Sequence, residues 1–464
     1  MIHARMLYTY VKSPYNLYCD LFGDPDERDE KSEYQQMLFD AGKEHEKKVV
    51  EEVFVNAKEV EVKDREEGFK LLQKFMGEGV EFLHDFPVYF EDLTGNPDML
   101  VKVPGKSKFG NYYYVVKEIK VAKNMKKHHE IQAMFYNYVV GKIQEYTPEY
   151  FYLINRDQDE FEIEYDEKLF LETLQAVRKI MDGEVVTPTY DKCDWPWQSY
   201  CDKKAIEERD VSLVPGVGLG IKKKLNGIGI ISVRDLAEAK EDDLLKLDGF
   251  GPGSAIKMIR SAKAIDTGKA IKINGSQLSK RKTEIFLDLE GTGQPVDKEG
   301  LAPIDYLIGC LVRKNGKEEY KPFVAHSEND EEKMFNDFIN WLEKQEDFVI
   351  YHWHHYEKNH LRQMCEKYKI KKDIKNQLMN SLVDLYKVAT RGYAFPTYGN
   401  SIKDIAPWIG FEWRHKEVDA MESIAYYVEY VETGDKTKLQ KVIDYNEDDV
   451  IATRVVKDWL TQNV

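Results

Sequence analysis

The sequence predicts an α/β protein of several domains, interrupted by a small all-helical segment. Three observations carry that reading. Strand-like runs flanked by helix-spaced stretches fill residues 1–205 and again 282–464, while 206–275 repeats a Gly-x-Gly turn between helical stretches. At 464 residues the chain is longer than one hydrophobic core organises. Hydrophobic residues at 42% and aromatics at 12% are enough to pack each part.

In the first segment, KSEYQQMLFDAGKEHEKKVVEEVF (31–54) spaces its apolar residues as a helix does, with charges between them. FPVYF, DMLVKV and YYYVVKEIKVA then read as strands, HHEIQAMFYNYVVGKI as a helix, and FYLINR with EFEIEY as a hairpin. The second segment holds two copies of one unit, VPGVG (214–218) and LDGFG (247–251), each an apolar residue and a glycine turn leading into a helix. TGKAIKINGSQLSKRK (267–282) is a linker by its Gly, Lys and Ser content. The third segment opens on the strand IFLDLEGTG (285–293), followed by DYLIGCLVRKNGKEEYKPFVA with an Asn-Gly hairpin turn. DEEKMFNDFINWLEKQ is a helix, FVIYHW a strand and YEKNHLRQMCEKY a helix; LQKVIDYNEDDVIATRVVKDWL closes the chain as a helix.

Bulk properties narrow the function. A net charge of −16, from 67 Lys and Arg against 83 Asp and Glu, argues against a nonspecific nucleic-acid coat but leaves room for local binding. Five cysteines do not make a disulfide framework. No apolar run reaches bilayer length, and the N-terminus lacks a secretion-signal core. The expectation is a cytoplasmic protein without a membrane partner.

Asp288 and Glu290 lie two apart on a strand and therefore share a face. Alone, such a pair is most simply a strand end running into solvent. Glu357 stands at the start of a helix after a strand, and Tyr445 and Asp449 are one helical turn apart. Carboxylates from these elements could meet at one point, where oxygen-only donors suit Mg²⁺ or Mn²⁺. Two such ions about 4 Å apart can drive phosphodiester cleavage. Asp384, in SLVDLYKV, is the fallback for Glu357. His352, His354, His355 and His360 sit around a strand end that splits its side chains between two faces, with no cysteine among them, which argues against zinc.

This order of motifs resembles the DEDD proofreading-type 3′–5′ exonucleases of ribonuclease H-like fold, in their tyrosine variant. The resemblance implies that Asp288, Glu290, Glu357 and Asp449 bind metal and that Tyr445 positions the attacking water. Glu357 departs from the family pattern, which has Asp there. SIKDIA (401–406) and YNEDD also look like a ribonuclease H-like exonuclease group that is joined to RecB-type nucleases.

In the first segment Asp98 lies in GNPDMLV, and Glu118 and Lys120 share a strand face in VVKEIKVAK. An acid beside an ammonium can hold a metal while the lysine positions or deprotonates water, or steadies charge on a phosphate. Asp followed by ExK resembles the PD-(D/E)xK nuclease core. His45, in AGKEHEKK, and QAMFY (132–136) are similar to further RecB-like features. They imply His45 as a metal ligand with Asp98 and Glu118, and Gln132 and Tyr136 as groups that contact substrate or orient the lysine. Some RecB-like nucleases hold an iron–sulfur cluster with one early and three late cysteines. Only Cys19, Cys193 and Cys201 are present here, one short of the usual four thiolates, so the cluster is expected to be lost and the three thiols to lie close together.

The repeated middle unit resembles a tandem helix-hairpin-helix module. Gly216, Gly218, Gly249 and Gly251 would let backbone amides approach a phosphate, with Lys222, Lys223 and Lys224 adding sequence-independent attraction. Taken in order, the chain looks like the RecB-family nuclease group that joins a PD-(D/E)xK, restriction-endonuclease-like domain (1–205), a helix-hairpin-helix module (206–275) and a ribonuclease H-like exonuclease domain (282–464). The expected function is a metal-dependent DNA nuclease acting on single strands or ends. Two alternatives stay open: an RNA-directed exonuclease, and a nucleic-acid-binding or partner-docking protein built from degenerate nuclease folds.

Overall fold

Period-two alternation along the strands decides which side chains face which helices in this chain. The computed structural model describes residues 1–59, 64–275, 278, 281–292, 304–416 and 418–463. They form two units, Met1–Lys31 with Gln35–Lys204, and Ser32–Tyr34 with Ala205–Val464.

In the first unit β1 (Phe82–His84), β2 (Met99–Ser107), β3 (Gly110–Ile119), β4 (Tyr150–Ile154) and β5 (Glu160–Glu164) hydrogen-bond in chain order. Only β3 and β4 run parallel, so a crossover must join them. Two helices cover the sheet, α1 (Glu33–Val53) and the crossover α2 (Lys127–Gln144). Leu100, Tyr114, Val116, Phe151 and Leu153 pack on the α2 side with Ile131, Phe135 and Val139. Their neighbours Met99, Val101, Val115, Ile119 and Ile154 pack on the other face with Val49 and Phe54. The run FPVYF does not join this sheet: Val88–Phe90 pairs with Leu93–Gly95, which in turn pairs with Ile2–His3.

The second unit begins with the glycine repeat. α3 (Leu219–Asn226) and α4 (Pro252–Thr267) each follow one glycine turn, with the short helices Val233–Glu238 and Glu241–Leu245 between them. The predicted linker (267–282) is partly structured, because Ile271–Lys272 pairs with Tyr393–Ala394. Its residues 276, 277, 279 and 280 lie outside the described residues, as does Gly293 of the opening strand motif.

Next come β6 (Thr283–Gly291), β7 (Asp305–Lys314), β8 (Lys317–Val324), α5 (Glu331–Leu342), β9 (Phe348–His352), α6 (Tyr356–Lys367), α7 (Lys372–Ser381), β10 (Leu382–Asp384), α8 (Ile402–Ile409) and α9 (Lys436–Gln462). The strand order is β8-β7-β6-β9-β10, antiparallel through β8, β7 and β6 and parallel from β6 to β10. Asn315 and Gly316 turn the β7–β8 hairpin with φ of 52° and 77°, as a two-residue Asn-Gly turn requires. Ile285, Leu287 and Leu289 of β6 pack against α5 and α6. Phe286, on the opposite face, meets Val450 and Val456 of α9. The same alternation places Asp288 and Glu290 on the α9 side. Among the described residues no helix is long and apolar enough to cross a membrane.

Candidate metal centre

Three carboxylates meet where β6 passes under α9, Glu290 and Asp449 buried and Asp288 half-buried. One oxygen each from Asp288, Glu290 and Asp449 lies within 4.8 Å of the others, and among the described residues no other His, Cys, Asp or Glu group is so gathered. Removal from water raises all three carboxyl pKa values, and neighbouring carboxylates add to it. Burial, then Asp449, pushes Glu290 up to about 8. Burial lifts Asp449 to about 6, against the pull of Lys403 and Trp413. Asp288 is held well above the usual carboxylate range by burial, then by Glu290, Asp449 and Glu357. Such a set of hard oxygen donors, short of positive charge, fits Mg²⁺ or Mn²⁺.

Neighbouring side chains fix these acids in place. The Trp413 indole donates to Asp449 Oδ1 at 2.7 Å, and Asn446 Nδ2 donates to Asp288 Oδ2 at 2.8 Å. Tyr320 in turn donates to Asn446 Oδ1 at 2.9 Å. Glu357 is buried in the first turn of α6, with Oε2 3.4 Å from His352 Nδ1. It lies outside the close trio, but near enough for its charge to be felt at Asp288. Tyr445 is buried one turn before Asp449, and burial, then the surrounding carboxylates, raises its phenol, so it keeps its proton. Lys403 of α8 donates to that hydroxyl and sits 4.4 Å from the ring centre. The fallback Asp384 has another task, accepting from the Lys387 amide at 3.2 Å to cap the helix Leu385–Gly392. The histidines disperse: His352 is interior, His354 lies against His355 with the rings tilted by 58°, and His360 Nδ1 bonds Asp305 at 2.8 Å.

Sequence reasoning did not single out Lys403, Asn446 or Trp413. Lys403 and Asn446 lie inside the motifs SIKDIA and YNEDD, so their neighbourhood was visible. Trp413 carries no local signal.

In the first unit, Asp98, Glu118 and Lys120 share the α2 face of the sheet. Lys120 Nζ donates to Glu118 Oε2 at 2.9 Å and to Asp98 Oδ2 at 3.3 Å. Two amides complete the cluster, Asp98 N to Glu118 Oε1 at 3.0 Å and Ile119 N to Asp98 Oδ2 at 2.7 Å. Burial, then Asp98, raises Glu118 to about 8, with Lys120 opposing. Burial works against the Lys120 ammonium, but the two acids outweigh it and its pKa rises. Tyr136 packs beside them against Gly95, and Gln132 is half-buried one turn earlier on α2. His45 is buried on α1, the helix over the opposite sheet face, and does not join Asp98 and Glu118 in a close group. Its neighbour Glu46 is the α1 residue whose charge reaches Asp98.

Cys19, Cys193 and Cys201 do come together, in a buried cluster with Tyr15 and Trp197. Cys193 and Cys201 are disulfide-bonded, which leaves Cys19 as the one free thiol of the three. That donor set does not fit a four-thiolate iron–sulfur cluster.

In the glycine repeat, Gly216 and Gly249 take φ of 95° and 84°, conformations that favour glycine, and Gly218 and Gly251 are the N-caps of α3 and α4. Lys222 departs from expectation. It is buried with Nζ 2.7 Å from Asp210 Oδ2, because its position on α3 faces the module's interior. Lys223 is exposed, and Lys224 donates to the Asp248 carbonyl at 2.6 Å, tying α3 to the second glycine turn.

Residues 285–461 match the family model of the RNase_H superfamily, and residues 208–264 match that of the SAM-like helix-hairpin-helix tandem. No curated protein matches the chain. The chain thus carries an RNase H-like domain and a helix-hairpin-helix module, a pairing that points to nuclease-like work on nucleic acid.

Proposed function

We propose, from an RNase H-like domain that follows a helix-hairpin-helix module, that this protein is a metal-dependent nuclease hydrolysing DNA phosphodiesters from a 3′ end. The observation that carries the reading is the close trio Asp288, Glu290 and Asp449, with the buried Tyr445 one turn from Asp449. Asp288, Glu290, Asp449 and Glu357 would hold Mg²⁺ or Mn²⁺, which when bound supplies Lewis acidity for the attacking water and the leaving 3′ oxygen. Tyr445 keeps its proton, so it orients water by hydrogen bonding and does not act as a base. Lys403 places positive charge beside it, where a phosphate oxygen gains charge during attack. Glycine turns before α3 and α4 offer backbone amides to phosphates further along the strand.

Asp288→Asn with Glu290→Gln is expected to abolish Mg²⁺- or Mn²⁺-dependent degradation from the 3′ ends of single-stranded and duplex DNA while leaving oligonucleotide binding in place. Undiminished cleavage would remove the metal centre from the mechanism. A wild-type protein that degrades neither substrate, nor RNA, would remove the nuclease reading itself.

For the first unit we propose a PD-(D/E)xK centre formed by Asp98, Glu118 and Lys120. One observation favours a second reading there: Lys120 already bonds both carboxylates, as a structural ion cluster would. Glu118→Gln decides between them. A cutting centre loses whatever cleavage survives in Asp288→Asn, whereas a structural cluster loses only thermal stability.

A further inference from the structure

The chain is strongly acidic, yet one surface is not. Between Lys358 and Lys375, in α6, the following turn and the start of α7, there are seven Lys or Arg residues against two acids, Glu366 and Asp373. Two of the seven are paired, Lys367 with Glu331 and Lys375 with Glu366. The other five, Lys358, Arg362, Lys369, Lys371 and Lys372, have no ion-pair partner among the described residues. A cationic surface without matching carboxylates is not explained by folding, because surface charges gain stability only from opposite partners. Lys371 and Lys372 sharpen the point. They are the N-cap and first residue of α7, where the helix dipole already contributes positive potential.

Position gives this surface a use. α6 begins at Tyr356 with Glu357 turned inward beside Asp288, so its first turn is at the metal centre. Lys358 and Arg362 lie one turn apart on a stripe away from the buried Leu361 and Met364. The helix runs for roughly 18 Å before the turn that holds Lys369 and Lys371. We infer that the outer face of α6 and the turn into α7 form a track that carries the phosphate backbone of a nucleic-acid strand to and from the metal centre. This rests on the nuclease reading for its direction, but the track binds phosphates whether or not the centre cuts.

The test reads binding without cleavage. The full chain carrying Asp288→Asn is titrated, in EDTA so that neither proposed centre cuts, against a fluorescein-labelled single-stranded oligonucleotide by anisotropy across a salt series. Adding Lys358→Ala, Arg362→Ala and Lys371→Ala together is expected to weaken binding about 10-fold and to flatten the log Kd against log salt slope by about 2, as loss of three phosphate contacts on a single strand requires. A control with Lys314→Ala, Lys317→Ala and Lys344→Ala, exposed elsewhere in the same domain, should change neither quantity. The track is overturned if the wild-type residues bind no oligonucleotide, if the triple variant keeps its affinity, or if affinity falls with an unchanged slope. It is also overturned if phosphatidylserine vesicles bind as tightly as the oligonucleotide and are lost with the same variant, which would make the surface a membrane contact. Cleavage assays with Asp288 restored answer the separate question: expected binding losses without any hydrolysis would leave the track standing and remove the nuclease reading.

Discussion

At the scale of single residues, the metal centre is a balance between acids that repel and the few groups that hold them. Trp413 touches Asp449 through one hydrogen bond and fixes its orientation. Trp413→Phe keeps the ring but removes the donor, and is expected to weaken Mn²⁺ binding roughly 10- to 100-fold, measured by calorimetric titration. Lys403 acts differently, because it faces Tyr445 and contributes charge without being a ligand. Lys403→Met should lower kcat by about 100-fold with metal affinity little changed. An equal fall in metal affinity would assign Lys403 to holding the acids instead.

At the scale of elements, the site depends on how closely α9 lies on the sheet. Gly309 of β7 is opposite Asp288 in register, and a Cβ there would come 1.5 Å from Asn446 Oδ1. Gly309→Ala should therefore push Asn446 away from Asp288 and destabilise the domain by about 1–3 kcal/mol, read from the urea midpoint. Wild-type stability in this variant would mean α9 tolerates a shift. In the helix-hairpin-helix module the sensitive contact is Lys222 with Asp210, both almost fully buried. Asp210→Ala removes the carboxylate that holds the Lys222 ammonium and accepts from Ser212, and should cost about 3–5 kcal/mol, while Asp210→Ala combined with Lys222→Met should recover part of that loss.

At the scale of the whole molecule, the buried acids make stability depend on pH and on metal together. Glu290 is raised from 4.5 to about 8 in the folded state. A raised carboxyl favours folding when protonated, so its contribution is complete below pH 4.5 and disappears as pH climbs through 8. Glu118, also raised to about 8, contributes with the same sign. The metal-free protein should melt at progressively lower temperature across that window, and Glu290→Gln should flatten the profile. Mn²⁺ should flatten it too, since a cation stabilises the charged acids, and its apparent affinity should rise with pH as protons cease to compete. A melting temperature that rises from pH 4.5 to 8 without metal would contradict the raised carboxyls.

The sequence alone determined what local periodicity can carry. Alternation put Asp288 with Glu290 and Glu118 with Lys120 on common strand faces, helical spacing put Tyr445 with Asp449, and the glycine repeat marked its two turns. Those relations span a few residues, so backbone geometry decides them before any packing occurs. Tertiary structure decided which faces meet. It brought Asp449 to a strand far away in sequence, turned Lys222 inward to Asp210, set His45 on a helix over the far side of its sheet, and supplied Trp413 and Lys403 from segments with no spacing rule to betray them. Contacts of that kind follow from which apolar faces bury each other, and that is a property of the folded chain and not of any short stretch of it.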